Sequence, residues 1–188
     1  MALINIPTTG LWSTIAGYIN SNFATTDKAA FYVRSEDAIA VSEDGTAPSF
    51  FTGLASVGTP NLVAVDAATG SIQNIAGRAI GPMVGTVSFQ PLKGGGGNAQ
   101  RIRIWSETSP DAINWTTNLD SLRAVDVPND GESFKTIVSF SESIPDTYYL
   151  RFRFFSTGGG TLSLIPETEL INGETITGPS VVWVLEEE

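Results

Sequence analysis

In the run Leu150-Arg151-Phe152-Arg153-Phe154, large apolar side chains and arginines change places at every position. A period of two belongs to an extended strand, whose successive side chains point to opposite faces of a sheet. A helix would instead scatter the arginines through its own apolar stripe. Ile102 and Ile104 alternate in the same way with Arg101 and Arg103. One face of each strand is thereby committed to a core, and the arginine face to the outside. Candidate strands are Met83–Phe89, Gln100–Glu107, Ser121–Val127, Phe134–Ser141, Tyr148–Ser156, Thr161–Ile165 and Ser180–Leu185, with Trp115-Thr116-Thr117 as an eighth. The segments between them are turn-rich: Gly94–Gly97, Pro128-Asn129-Asp130-Gly131, Ser143-Ile144-Pro145-Asp146 and Gly158–Gly160. Seven or eight short strands in about 105 residues predict a β-sandwich over residues 82–188, with a jelly roll as the leading topology. In Val181-Val182-Trp183-Val184-Leu185 both faces are apolar, which suits a central strand or a subunit interface. Val182, Trp183 and Val184 are accordingly candidates for contact between copies.

Two further zones precede the sandwich. Residues 27–81 hold short apolar runs broken by turns. Ala38–Ser42 leads into Glu43-Asp44-Gly45, a hairpin signal, and Leu62–Asp66 is joined to Ser71–Ile75 through Ala67-Ala68-Thr69-Gly70. So short a zone with few aromatics buries little area alone. It reads as an extended β-hairpin arm, wrapped with sister chains or laid on the next domain. Residues 1–26 form the third zone. There Leu11, Ile15, Ile19 and Phe23 recur every four residues with Trp12 beside them, a helical period over a short window. A helix of about 12 residues is marginal alone, so this anchor segment, helical or extended, must pack on its own domain, on sister chains or on a host particle.

Charge and missing residue types narrow the function. The 188 residues carry 20 acidic and 10 basic side chains, a net charge of −10, and only 16% of residues are charged. Acidity of this degree argues against nucleic-acid partners, which demand a basic face, and against anionic membranes. So low a charge content fits a compact β-protein with a Ser/Thr/Asn/Gly surface or, the favoured reading, surface hidden in subunit contacts, which are depleted in charge. The chain has no histidine and no cysteine. Ser-His-Asp and Cys-His catalysis are therefore ruled out, together with most zinc sites. No cofactor is implied, and the reading is of a non-enzymatic protein. Met1–Pro7 lacks a basic n-region, so synthesis in a cytoplasm without a signal peptide is expected. No apolar run reaches the ~18 residues of a membrane span.

Several local patterns have a bland and a sharp reading. Gly94–Gly97 lacks the Lys-Ser/Thr of a phosphate loop and reads as a hairpin loop. Asp126, Asn129 and Asp130 match no calcium-loop spacing and read as a turn shaped by Asx hydrogen bonds. The neighbours Glu36-Asp37 and Glu43-Asp44 would point to opposite strand faces, a poor arrangement for a glycosidase pair. Arg101, Arg103, Arg151 and Arg153 form an ion-pair ladder with acidic residues or, alternatively, a basic patch for an anionic glycan. Trp115 and Tyr148, with Trp105 and Tyr149, are core or interface aromatics or else platforms for sugar rings. The tail Glu186-Glu187-Glu188 reads as a solvated end.

The opening Ile4-Asn5-Ile6-Pro7, followed by Gly10-Leu11-Trp12-Ser13-Thr14-Ile15 and Asn20-Ser21-Asn22-Phe23, resembles the N-termini of bacteriophage fibre and spike proteins. The hairpin Leu62–Ile72 is similar to turns of phage fibre shafts. The C-terminal zone resembles the jelly-roll, tumour-necrosis-factor-like knobs that cap trimeric fibres. The resemblance implies a homotrimer with its N-terminal end on the virion, held there by Leu11, Trp12, Ile15, Ile19 and Phe23 on a major capsid or tail protein. The shortness of the chain favours a capsid decoration, cement or head-spike protein. The alternative is a tail-fibre receptor-binding protein that recognises a bacterial surface glycan, with Trp115 and Tyr148 as contacts.

Overall fold

Period-two burial is the rule along the long strands. In Thr136–Ile144 every second residue (Thr136, Val138, Phe140, Glu142, Ile144) is buried and each one between is exposed. The computed structural model describes residues 30–56, 62–94, 100–127, 135–158, 161–166 and 168–188. These residues form strands alone: β1 Ala30–Ser35, β2 Ile39–Val41, β3 Ser49–Phe50, β4 Leu54–Ser56, β5 Val63–Asp66, β6 Ser71–Asn74, β7 Ile80–Phe89, β8 Pro91–Lys93, β9 Gln100–Ser109, β10 Thr116–Val127, β11 Thr136–Ile144, β12 Tyr149–Thr157, β13 Leu162–Leu164, β14 Thr168–Ile171, β15 Glu174–Thr177 and β16 Val181–Glu187.

Two layers face each other. The first has the order β11-β7-β16-β1-β4, and the second β10-β9-β12-β6-β5, with β3 also beside β12. After β7 in the first layer, the chain places β9 and β10 in the second, β11 in the first, β12 in the second and β16 in the first. This alternation between layers is the jelly roll. A small sheet, β2-β13-β8, buries Ile39, Val41, Leu162 and Leu164. Hairpin β14–β15 turns at Asn172-Gly173, both at positive φ (54° and 85°), as a type I′ turn demands.

The layers are joined by aromatic rings. Trp183 of β16 meets Phe152 of β12 edge-on at 4.8 Å and Phe51 at 5.6 Å. Phe51 stacks on Phe154 at 4.7 Å, and Phe140 of β11 tilts onto Phe152 at 4.5 Å. Trp183, Phe51, Phe152 and Phe154 are fully buried. Each such ring removes roughly 150–250 Å² from water, so this cluster fixes how the two sheets lie on each other.

The predicted sandwich agrees with this architecture, as do most strand runs, but Thr116 and Thr117 open β10 rather than forming an eighth strand, and the proposed partition at residues 81/82 does not hold. Strand β7 runs through that boundary, β1 pairs with β16 over its whole length, and β6 pairs with β12. Residues 30–81 thus contribute strands to both layers rather than a separate arm. The Asp44-Gly45 turn likewise does not close a hairpin: β2 pairs with β13, and β3 with β12. The Ser49 hydroxyl substitutes for the missing ladder, donating to the Ala40 carbonyl at 3.1 Å and accepting the Ser42 N–H at 2.8 Å. The hairpin expected around Gly70 does form, as β5–β6. The anchor residues Leu11, Trp12, Ile15, Ile19 and Phe23 lie outside the described residues, as do Asn129, Asp130 and Gly95–Gly97.

Candidate functional site

The outer face of the first layer follows from the register. Val181, Trp183 and Leu185 of β16 point into the core, so Val182 and Val184 point out. Val184 lies beside Tyr32 of β1 and Thr86 of β7, and Thr86 lies beside Ser139 of β11. The next row is Arg34, Val182, Ser88 and Ile137. On the other side, Glu186, Val84 and Ser141 form a third row. Only Arg34 and Glu186 are charged in these rows, and they sit at opposite ends. Ile137 is 64% exposed and Val84 43%. In a chain of net charge −10, this is a broad, nearly uncharged surface of Val, Ile, Tyr, Ser and Thr. Solvated sheet faces carry charge; interface cores lack it.

Of the three candidate contact residues, only Val182 and Val184 are displayed there. Trp183 fills the core instead, because alternation gives the same strand one inward and one outward set, and the largest ring takes the inward side.

The outer face of the second layer is different in kind. Arg101 pairs with Asp126 at 2.6 Å across β9–β10, with both side chains largely exposed. That contact holds the Asp126 carboxyl below its ordinary range. Arg151 pairs with Glu107 across β12–β9, its Nε and Nη2 at 2.9 and 2.7 Å from Glu107 Oε2. Both residues of this pair are buried. The Trp105 indole N–H donates to the other carboxylate oxygen at 3.1 Å, and the Trp115 ring lies 3.7 Å from the Arg151 guanidinium carbon. Trp115 is held by its own N–H, which donates to the Ala112 carbonyl at 3.1 Å. Behind it, Asp111 accepts the N–H groups of Ile113 and Asn114, and these hold its carboxyl well below the usual carboxylate range.

Two of the four ladder arginines, 101 and 151, thus meet acidic partners of their own chain. Among the described residues Arg103 and Arg153 do not. Arg103 is exposed over the Phe155 ring at 5.9 Å, and Trp105 meets Phe155 edge-on at 5.9 Å. Arg153 sits over Phe50 at 6.0 Å and donates through Nη2 to the Pro48 carbonyl. Its buried Nε has no acceptor among the described residues. Burial, and then the charge of Arg151, pull Arg153 below its ordinary pKa, with Glu107 opposing.

Trp115 and Tyr148 have different surroundings. Trp115 lies over Arg151 on this outer face, whereas Tyr148 packs against the core. Glu107 and Glu142 are both buried but face opposite sides of the second layer. Glu142 reaches inward from β11 and accepts Ser106 Oγ–H at 2.6 Å and Asn118 Nδ2–H at 3.1 Å. Ser106 and Glu107 are chain neighbours, so their side chains emerge on opposite faces of β9. Among the described residues no group of three acidic, histidine or cysteine side chains is placed to hold a metal, and no helix is long and apolar enough to cross a membrane. The tail is not simply solvated. Glu187 accepts from Nη1 and Nη2 of Arg78, each at 2.7 Å, and from the Gly81 N–H at 3.1 Å, tying the last strand to the start of β7.

No protein-family model matches the sequence, and no curated protein does. Solved structures do match. A structure of Eiger TNF from S. frugiperda superposes with a TM-score of 0.56 at 12% identity, covering 86% of this chain and 92% of that one. The globular domain of a zebrafish complement 1qA protein aligns over 86% of this chain and 97% of its own, at 14% identity and a TM-score of 0.41. The likeness to the first is one of fold: the jelly roll expected from the run of short strands is similar to the fold of that structure.

Proposed function

We propose that this chain is a non-enzymatic structural protein of a bacteriophage particle, a homotrimeric capsid decoration, cement or head-spike protein. The observation that carries the assembly reading is the outer face of β11-β7-β16-β1. Three copies related by a three-fold axis would bury Tyr32, Val84, Ile137, Val182 and Val184 against one another. Apolar burial contributes roughly 25 cal/mol per Å², and a nearly uncharged face leaves few ions to desolvate. Stability then depends on assembly and on protein concentration. The phage reading is supported by the resemblance of residues 4–23 to virion-anchoring N-termini, with Leu11, Trp12, Ile15, Ile19 and Phe23 as the contact set toward a capsid or tail protein. The place of action is the virion.

Cryo-electron microscopy of particles purified with the protein tests this reading. Three-fold density at capsomer junctions, with the N-terminal segments against the shell, is expected. Absence of the protein from every particle would overturn it.

A further inference from the structure

The outer face of the second layer is not needed for the assembly described above, and it has chemistry of its own. The chain carries twice as many acidic as basic residues, so a guanidinium has no shortage of carboxylates to meet. Arg34, Arg78, Arg101 and Arg151 each meet one. Arg103, Arg123 and Arg153 form no ion pair among the described residues; Arg123 donates to the Asp120 and Leu122 carbonyls, whereas Arg103 and Arg153 lie on the same face of adjacent strands. The register sets Arg153 opposite Trp105 and Phe155 opposite Arg103. Cation and ring thus alternate across β9 and β12: Arg103 over Phe155, Trp105 edge-on to Phe155, Arg153 over Phe50, Arg151 under Trp115. One carboxylate, Glu107, acts on both Arg151 and Arg153, and Arg151 takes it. The Nε of Arg153 is buried with no acceptor among the described residues, and an unmet buried donor is costly.

We infer that this face binds an acidic saccharide, with Arg103 and Arg153 taking its carboxylate or sulfate and Trp105 and Phe155 stacking on its ring. A planar guanidinium matches a carboxylate in a two-point contact, and an aromatic ring offers its face to the C–H side of a sugar. Trp115, already turned over Arg151, forms the neighbouring wall. The net charge of −10 repels a dense polyanion such as a nucleic acid. The ligand is therefore one whose acid groups are spaced among neutral rings. This site goes beyond the assembly reading: it lies on the layer opposite the assembling face and stands or falls separately.

The test is binding of the full chain to oligosaccharides carrying uronic acid, sialic acid or sulfate, each beside its neutral counterpart, by calorimetry with an array as the first screen. At least one acidic sugar is expected to bind while its neutral counterpart does not. Arg103→Met and Arg153→Met should each weaken binding by about tenfold or more, with the light-scattering mass unchanged. Arg103 is exposed, so its variant folds even where the Arg153 variant does not. No binding above the neutral controls, or equal binding of a triglutamate peptide, would overturn the inference. Failure to bind by an assembled protein overturns the site alone. Binding by a monomer overturns the assembly reading alone.

Discussion

Replacing Arg151 by Met breaks the one ladder pair that is shut off from water. Its two side chains are each 10% exposed. The Met stem keeps much of the packing, but Glu107 is left with the Trp105 N–H and a Thr117 contact at 3.4 Å. A buried carboxylate stripped of its partner costs about 3–5 kcal/mol, and the lost stack on Trp115 adds to that. For a domain of this size 1 kcal/mol moves the melting midpoint by roughly 2–4 °C, so a fall on the order of 10 °C is expected. Arg101→Met is the internal control. It removes the same kind of cross-strand pair, but with side chains 52% and 73% exposed, and no resolvable change is expected. Adding Glu107→Gln to Arg151→Met should restore much of the loss, because the stranded charge is then gone. The assay is thermal and urea unfolding at one fixed protein concentration, arranged as a double-mutant cycle. Equal shifts for Arg151→Met and Arg101→Met, or a double variant as unstable as the sum of its parts, would refute the reasoning.

Other consequences can be checked in the same way. Trp183→Ala empties the centre of the aromatic cluster and should cost about 3–5 kcal/mol; a loss below that range by chemical unfolding would mean the two layers do not depend on it. Val184→Glu should leave the folded spectrum intact and lower the light-scattering mass, since the residue faces outward; an unchanged mass would move the interface elsewhere. Gly70 sits at φ +62° in the β5–β6 turn, where an added Cβ would overlap the Phe51 carbonyl oxygen, so Gly70→Ala should be clearly destabilised in thermal melts, and wild-type stability would show that the turn relaxes. Asp111 has its pKa lowered in the fold from 3.8 by backbone N–H groups. The stability this contributes is fully present above pH 3.8 and is lost as pH falls through the folded value, so Asp111→Asn should flatten the acid limb of the unfolding midpoint below about pH 4. Superimposable acid limbs would contradict that.

The long strands were legible because each has one buried and one exposed face. β9 and β12 show it in the Ile/Arg and Phe/Arg alternation, and β11 in its strict period of two. β16 was read as central or interfacial because both of its faces are apolar; it is central, and only the packing decides that Trp183 turns inward. The short strands upstream were harder. β1 pairs with β16 some 150 residues away, and β3 is two residues long. Local pattern carries no information about such partners, so the sequence of residues 27–81 reads as an arm. The Asn172-Gly173 hairpin has its signal in the dipeptide, but residues 168–170 and Glu174–Thr177 are exposed on both faces, so no alternation marks them as strands. Of the ladder, the arginines were visible as a set. Which of them would meet a carboxylate depended on the Arg151–Glu107 register, and that is a property of the folded sheet.

The central claim is that three chains meet through the outer face of β11-β7-β16-β1. The most direct test is the mass of the purified chain by size-exclusion chromatography with light scattering. Three times the 19.9 kDa of one chain, reduced by Val184→Glu, is the predicted result. A folded species of 19.9 kDa at every concentration would contradict it.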